Sequence, residues 1–379
     1  MKITDVRTLT ISCPLPAPVE TSFGRMLDRV NSLILVDTDE GLTGVGESWT
    51  NYPAWAPAER RLTIEHGVKP LLMGENPLEV TRLSHKMLTS LMRSGAGRQW
   101  GAKGILHQAI SGADMALWDL AGKKYGLPVY TLLGGKCLSE VQAYASGLGP
   151  KDFAGHVENA LKKGFSAFKL KVGFGLEVDL ANLRTMRQLI GSGSHLMIDA
   201  NQGWRDAAEA LRHLRSYLEY DLDFIEEPVP ADQLADLKAI REAGLLPVAG
   251  GENLYGKAGF RDVLSGKVLD ILQPDVTKVG GLTEARAICD MAQAWGLPYA
   301  PHMFGTAVGL AASLHLLAAI PGGRIMEVDS TVNPFMTDLL RESFFKFDCG
   351  RFILAEDKPG LGIELSPEAL KEFAVQWPF

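Results

Sequence analysis

Residues 195–228 read HLMIDANQGWRDAAEALRHLRSYLEYDLDFIEEP, and this stretch sets the architecture. An apolar run ends on Asp199, a segment with helical period follows, and a second apolar run ends on Glu226. Apolar strands separated by a helix call for a parallel sheet covered by helices. Working outward, the same alternation predicts strands at 140–146, 166–171, 195–199, 222–226, 247–252, 269–274, 297–301 and 323–327. Helical patterns such as DLANLRTMRQLI and TEARAICDMAQAW lie between them. Eight such strands call for a closed barrel. Asp199, Glu226, Glu252, Asp275, His302 and Glu327 stand one per strand end, at gaps of 27, 26, 23, 27 and 25 residues. Each gap is about the length of one strand, one helix and two short loops. In a closed barrel all six meet at the carboxyl-terminal rim, where barrel enzymes keep their chemistry.

The region before the barrel reads differently. Residues about 2–12 alternate polar and apolar, and NSLILVDTDEGLTGVGES places the turn Asp39-Glu40-Gly41 between two alternating runs. Helical patterns follow near 56–73, 78–94 and 104–125. Strands first and helices after mark an α+β unit. Three segments are therefore expected: an α+β domain at 1–125, a barrel at 126–334, and a tail at 335–379 that returns to the first domain.

A net charge of -7 leaves no basic surplus for a phosphate backbone, which excludes nucleic acid as a partner. An anionic ligand must be met by local cations. Cys13, Cys137, Cys289 and Cys349 have neither zinc nor redox spacing, which points to a reducing compartment. The first residues, MKITDVRTLTIS, read as a strand and not as a leader, and no apolar run approaches the ~20 residues of a membrane span. A cytoplasmic protein without a membrane partner, and a homo-oligomer, is expected.

Asp199, Glu226 and Glu252, in IDAN, IEEP and GGEN, bring hard oxygen donors to three consecutive strand ends with no His or Cys among them. That donor set suits a magnesium ion that keeps waters for a substrate to displace. Any one of these carboxylates alone is equally well explained as a helix cap or a rim ion pair. Lys169 and Lys171, in FKLKVG, are two apart on a strand and share its inward face. Two neighbouring ammonium groups are expected to lower one another's pKa and prepare whichever reaches the substrate as a base. His302 follows the seventh strand and Asp275 ends the sixth. A carboxylate on one imidazole nitrogen fixes the tautomer and makes the other more basic.

These motifs, with GADMALWDLAGKKYGLPVYTLLGG, QPDVTKVGG and the APH turn, resemble the enolase superfamily and within it the mandelate racemase group. The likeness runs over nearly the whole chain. It implies a modified TIM-type (β/α)7β barrel, with an α+β capping domain built from the N-terminal region and the C-terminal tail. It also implies one Mg2+ ion held by Asp199, Glu226 and Glu252. Carried over residue by residue, Lys171 serves as base on one face of the substrate and His302 with Asp275 on the other. Lys169 resembles the lysine that steers the substrate carboxylate, Glu327 the acid that hydrogen-bonds it in protonated form, and Asn201 a further contact. Related cycloisomerases and dipeptide epimerases carry a lysine where this chain has Asp275, and Lys278, three residues on, is read as outside the catalytic pair.

The expected partner is thus a small-molecule carboxylate, a sugar acid or 2-hydroxy acid. The expected reaction is abstraction of the α-proton through an enediolate, with loss of water to give a 2-keto-3-deoxy acid. Racemisation or epimerisation of a 2-hydroxy acid is the alternative, and a non-catalytic binding barrel a remote one. Dehydration is preferred because the expected lid loops, near 15–30 and 49–55, and the stretch SGAGRQWGAK carry polar groups, among them Glu20, Arg25, Arg29 and Arg98. Arg25 is the expected substrate contact, since a guanidinium can hold a second carboxylate or adjacent hydroxyls. Phe23, Trp49 and Tyr52 keep an aryl substrate in view.

Overall fold

The computed structural model describes residues 1–355 and 358–375. The last four residues of the expected tail at 335–379, together with Glu356 and Asp357, lie outside the described residues.

Three antiparallel strands open the chain: β1 (Ile3–Thr21), β2 (Gly24–Thr38) and β3 (Thr43–Ser48), in the order β1-β2-β3. The segment expected as a loop at 15–30 is instead a hairpin, with Val19 opposite Met26, Glu20 opposite Arg25 and Thr21 opposite Gly24. Pro14, Pro16 and Pro18 gave it the look of a loop. On the edge strand β1 the missing N–H groups cost no ladder bond, and the register irregularity between Pro14 and Val19 absorbs them. The helix Lys103–Tyr125 packs its small residues on β3. A Cβ added at Gly44 would overlap the carbonyl oxygen of Ala116, and one at Gly46 that of Gly112, so backbone lies directly on backbone.

Seven parallel strands form the barrel: β4 (Glu140–Leu148), β5 (Ala167–Lys171), β6 (His195–Asp199), β7 (Ile225–Glu226), β8 (Val248–Gly250), β9 (Ile271–Leu272) and β10 (Met326–Asp329). β10 returns to pair with β4. The strand expected at 297–301 shrinks to Tyr299, which bridges Leu272 on one side and Gly323 on the other. Pro298 and Pro301 flank it and have no N–H to extend a ladder. Tyr144, Ala167, Met197, Phe224, Ala249, Ile271 and Ala300 fill the barrel interior. In register, Lys171 lies beside Asp199 and Asp199 beside Glu226, which sets these side chains in one layer at the rim.

After the barrel, β11 (Leu340–Glu342) pairs with β14 (Glu364–Leu365). Between them the hairpin of β12 (Phe345–Asp348) and β13 (Arg351–Leu354) adds to the outer edge of β4. The chain then reaches β1, where Ala374 bridges Ile11 and Val375 N–H donates to Thr10 O at 3.0 Å. Helix Lys103–Tyr125 docks on helix Gly281–Ala294 of the barrel, with the Trp118 indole donating to Thr283 Oγ1 at 2.9 Å and Gly280 N–H to Ser111 Oγ at 2.9 Å. No helix among the described residues is long and apolar enough to cross a membrane.

The contact of β3 on its helix gives a stability prediction. Gly46→Ala sets a methyl group against backbone that has no rotamer with which to yield, so it is expected to destabilise the protein by about 3 kcal/mol. Urea unfolding checks this, and an unchanged midpoint would show that the sheet and helix can separate.

Candidate active site

The parallel strands deliver one charged group after another to the same rim. Lys169 and Lys171 belong to β5, Asp199 and Glu226 end β6 and β7, and Glu327 lies in β10. Glu252, Asp275 and His302 follow β8, β9 and Tyr299 by two or three residues. All eight residues are buried, none more than 8% exposed. Buried charges must be paired, and these are. Lys171 Nζ lies 2.6 Å from Asp199 Oδ2, and Lys169 Nζ lies 2.5 Å from Glu226 Oε2 and 2.7 Å from Glu327 Oε1. His302 Nδ1 lies 2.7 Å from Asp275 Oδ2, and its Nε2 lies 2.6 Å from Glu252 Oε2. The sequence-predicted rim residues are therefore brought together, including the His302 and Asp275 dyad.

Pairing sets the charge states. Burial alone would drive Lys169 and His302 neutral, but Glu226 and Glu327 around the one, and Glu252, Glu327 and Asp275 around the other, hold both well above their ordinary range. The lysine pair was expected to lower itself by mutual repulsion. At Lys169 that expectation fails, because carboxylates and not Lys171 are its nearest charges. Glu327 also differs from expectation: against the cost of burial, Lys169 and His302 pull it down to about 2, so it stands ionised and accepts the Met303 N–H at 3.0 Å. Glu226 goes the other way. Burial, opposed by Lys169 but reinforced by Asp199, Glu327 and Glu252, pushes it up to about 7.

The rim thus holds more carboxylate than its cations neutralise, and the surplus is where a hard divalent cation would relieve it. Asp199, Glu226 and Glu252 offer oxygen donors from three adjacent strands, with no thiol nearby to favour a softer ion. Among the described residues no three such groups converge as a ready-made cage. The reason is visible: Lys171, Lys169 and His302 each hold one of the three carboxylates. The donor set fits the ion, and seating it would release Lys171 and His302 from these contacts.

A cavity of about 480 Å³ opens above the rim, with Lys171, Asn201, Glu252, Lys278 and His302 on its floor. The hairpin supplies one wall through Val19, Thr21, Phe23 and Met26, and Trp49, Tyr52 and Phe304 supply another. Arg25 is absent from this lining, which corrects its expected place as a substrate contact. It sits on the opposite face of the hairpin strand from Met26, largely exposed, with its guanidinium 3.3 Å from Glu20 in a neighbouring groove. Apart from Thr21, the side chains that alternate inward are the apolar ones. Arg98 is likewise not part of the lining. The Trp49 indole N–H, the Tyr52 hydroxyl and Asn201 Oδ1 are buried without a hydrogen-bond partner. Such groups are available to a ligand.

Lys278 also reaches the cavity. Read as outside the pair, it is a buried cation in the cavity floor, donating to Asn253 Oδ1 at 3.1 Å, 3.5 Å from Glu252 Oε2 and 4.7 Å from the centre of the Trp49 ring. A lysine three residues before the start of the barrel helix Gly281–Ala294 carries no local mark of facing inward, and only the turn Asp275–Val279 turns it there.

Comparison with known proteins follows the same lines. A family model described as the mandelate racemase / muconate lactonizing enzyme N-terminal domain matches residues 3–134, and one described as enolase C-terminal domain-like matches residues 152–369. D-galactarolactone cycloisomerase from Agrobacterium fabrum is 35% identical over 393 residues, with both chains covered in full. D-xylonate dehydratase from Haloferax volcanii is 32% identical over 91% of this chain and 85% of its own. A solved enolase from Bradyrhizobium, complexed with magnesium and mandelic acid, is 32% identical with a TM-score of 0.86 and 99% of each chain covered.

The pairing at the rim predicts a metal-free phenotype. Lys169→Met leaves Glu226 and Glu327 buried without their shared cation, which is expected to cost about 3–5 kcal/mol in the presence of a chelator. Urea unfolding with and without a divalent cation measures it. Equal stability of variant and wild type under chelation would show that Lys169 does not carry that charge.

Proposed function

The chain belongs to the mandelate racemase / muconate lactonizing enzyme family of the enolase superfamily, and on that premise we propose that it is a magnesium-dependent lyase that dehydrates a sugar acid to a 2-keto-3-deoxy acid. The observation that carries the reading is the imidazole of His302, held between Asp275 at 2.7 Å and Glu252 at 2.6 Å on a cavity floor that Lys171 shares. An imidazolium fixed in this way is an acid positioned to protonate a leaving hydroxyl, and the amine of Lys171 is the base for the α-proton.

Asp199, Glu226 and Glu252 would hold the magnesium ion, which when bound stabilises the negative charge that gathers on the substrate carboxylate. Lys171 removes the proton α to that carboxylate, and the pair becomes an enediolate. Lys169, already charged and buried at the same rim, holds a carboxylate oxygen and adds to the stabilisation, commonly the largest part of such catalysis. Glu327 keeps Lys169 and the Met303 N–H in place from the other side. Asn201 offers its free side-chain oxygen to a substrate hydroxyl. His302 then gives its proton to the β-hydroxyl, which departs as water, and Asp275 accepts the Nδ1–H throughout and fixes the ring.

One observation favours a second reading. The wall of Phe23, Met26, Trp49, Tyr52 and Phe304 is more apolar than a long polyhydroxylated chain requires. With no β-hydroxyl beside His302, the same residues would return a proton to the opposite face and invert the centre, as in a 2-hydroxy-acid racemase or epimerase.

Incubation with a stereochemically complete sugar-acid library and magnesium, read as 2-keto acid formation, tests the proposal. A chelator is expected to abolish turnover and magnesium to restore it, and Glu252→Gln to bind the metal poorly. His302→Asn and Asp275→Asn are each expected to lower dehydration by at least about 100-fold. Full activity in the metal-free protein, or wild-type rates in both dyad variants, would end the reading. Inversion without 2-keto acid would decide for the second one.

A further inference from the structure

The capping domain carries a buried carboxylate that this chemistry does not use. Glu47, in β3, is fully buried and crosses to the start of the barrel helix Ala307–Ala319. Its carboxylate accepts the Thr306 N–H at 3.1 Å and 3.2 Å, the Thr306 hydroxyl at 2.6 Å and the Gly309 N–H at 2.8 Å. A Cβ at Gly305 or Gly309 would run into those carboxylate oxygens, so two glycines make the space.

The neighbours of Glu47 grip the same loops. Asn51 Nδ2 donates to Phe304 O at 2.8 Å, and Trp49 N–H donates to Thr277 O at 3.3 Å. Thr277 in turn donates its N–H and its hydroxyl to Asp275 Oδ1, each at 2.7 Å. One short piece of the capping domain therefore touches both loops that carry the dyad. The helix does not need Glu47 in order to begin, because Thr306 already caps it, accepting the Val308 N–H at 3.1 Å. A buried carboxylate is costly unless fully hydrogen-bonded, and an apolar residue would fill the space more cheaply. What Glu47 adds is a fixed relation between two domains, four residues after His302.

We propose that Glu47 is a positioning residue for His302 and Asp275: by holding Thr306 and Gly309 it fixes where the imidazole stands relative to the substrate. The inference rests on the second reading above, in which His302 exchanges a proton with one face of the α-carbon and Lys171 with the other.

The test uses the magnesium-loaded enzyme and follows exchange of the α-proton into D2O by NMR, for both C2 epimers of a sugar acid. In Glu47→Gln, exchange of the epimer that presents its proton to His302 is expected to slow by about 30-fold, and that of the epimer facing Lys171 to stay within about threefold. A role in stability alone would slow both alike. That result, or wild-type rates for both, overturns the proposal. Thr306→Val, which removes the hydroxyl that reaches Glu47 together with its cap on Val308 N–H, is expected to give a smaller split in the same direction and serves if the first variant does not fold. Amide hydrogen exchange needs no substrate. Segments 275–279 and 302–309 of Glu47→Gln are expected to exchange faster than in the wild type, and unchanged protection in both overturns the clamp. A wild-type enzyme that exchanges neither epimer would sink the proposed reaction, and the amides would still judge Glu47.

Discussion

Burying many charges at one barrel rim is the constraint on which the rest of this structure depends. Asp199, Glu226, Glu252, Asp275 and Glu327 are buried within reach of Lys169, Lys171, Lys278 and His302. An isolated ion of this kind costs several kcal/mol to desolvate, so each must find an opposite charge at close range. Parallel strands solve the problem by register: neighbours in the ladder present their ends at one height, so the lysines of one strand reach the carboxylates of the next two. Any change of register by one residue would turn the whole set to the outer face. The barrel interior below is correspondingly apolar, with Tyr144, Met197 and Phe224 closing it to water and leaving the charges to one another.

The pairing also explains why the rim reads as incomplete. Burial, reinforced by the neighbouring carboxylates, leaves Glu226 with a raised pKa, and the ammonium and imidazole groups best suited to act on a substrate are engaged with the carboxylates best suited to hold a metal. The two sets of contacts exclude each other in part. A hard cation on Asp199, Glu226 and Glu252 would satisfy the surplus and return Lys171 and His302 to the cavity that both already line. Charge balance, more than shape, therefore links the metal carboxylates to the bases.

Much of this was legible in the sequence because it depends on period. The gap of one βα unit between acid and base residues located the rim, and the KxK spacing put Lys169 and Lys171 on one face. What escaped has a physical reason in each case. The seventh strand was overcounted because Pro298 and Pro301 keep the apolar pattern while removing the donors that a ladder needs. The hairpin at 19–26 was taken for a loop, but Pro14, Pro16 and Pro18 just before it lie on the edge strand β1, where they do no harm. Arg25 was chosen for its chemistry, but strand alternation decides direction, and it gives the cavity Met26 instead. The place of Lys278 in the cavity floor and the contacts of Glu47 were not foreseen because both reach across long sequence distances, and nothing local marks them. Glu47 sits in GVGES, an unremarkable strand end whose carboxylate finds its partners at Thr306 and Gly309.

These misses share a theme that bears on the choice among reactions. The rim residues handle the carboxylate and the α-carbon, which every candidate substrate possesses, and they are the ones the sequence period reveals. Which product follows depends on what stands beside His302 when the α-proton has gone. A hydroxyl there leaves as water, and a bare face receives a proton. The two outcomes match a dehydratase and an epimerase, and proteins so named are among the relatives of this chain. Both need the imidazole at a fixed height above the substrate. That height is set partly outside the barrel, where the capping strand meets the loop after His302 and where the hairpin closes the cavity with Phe23 and Met26. The barrel therefore supplies the chemistry held in common, and the capping domain governs both the room beside the imidazole and the position of the imidazole itself.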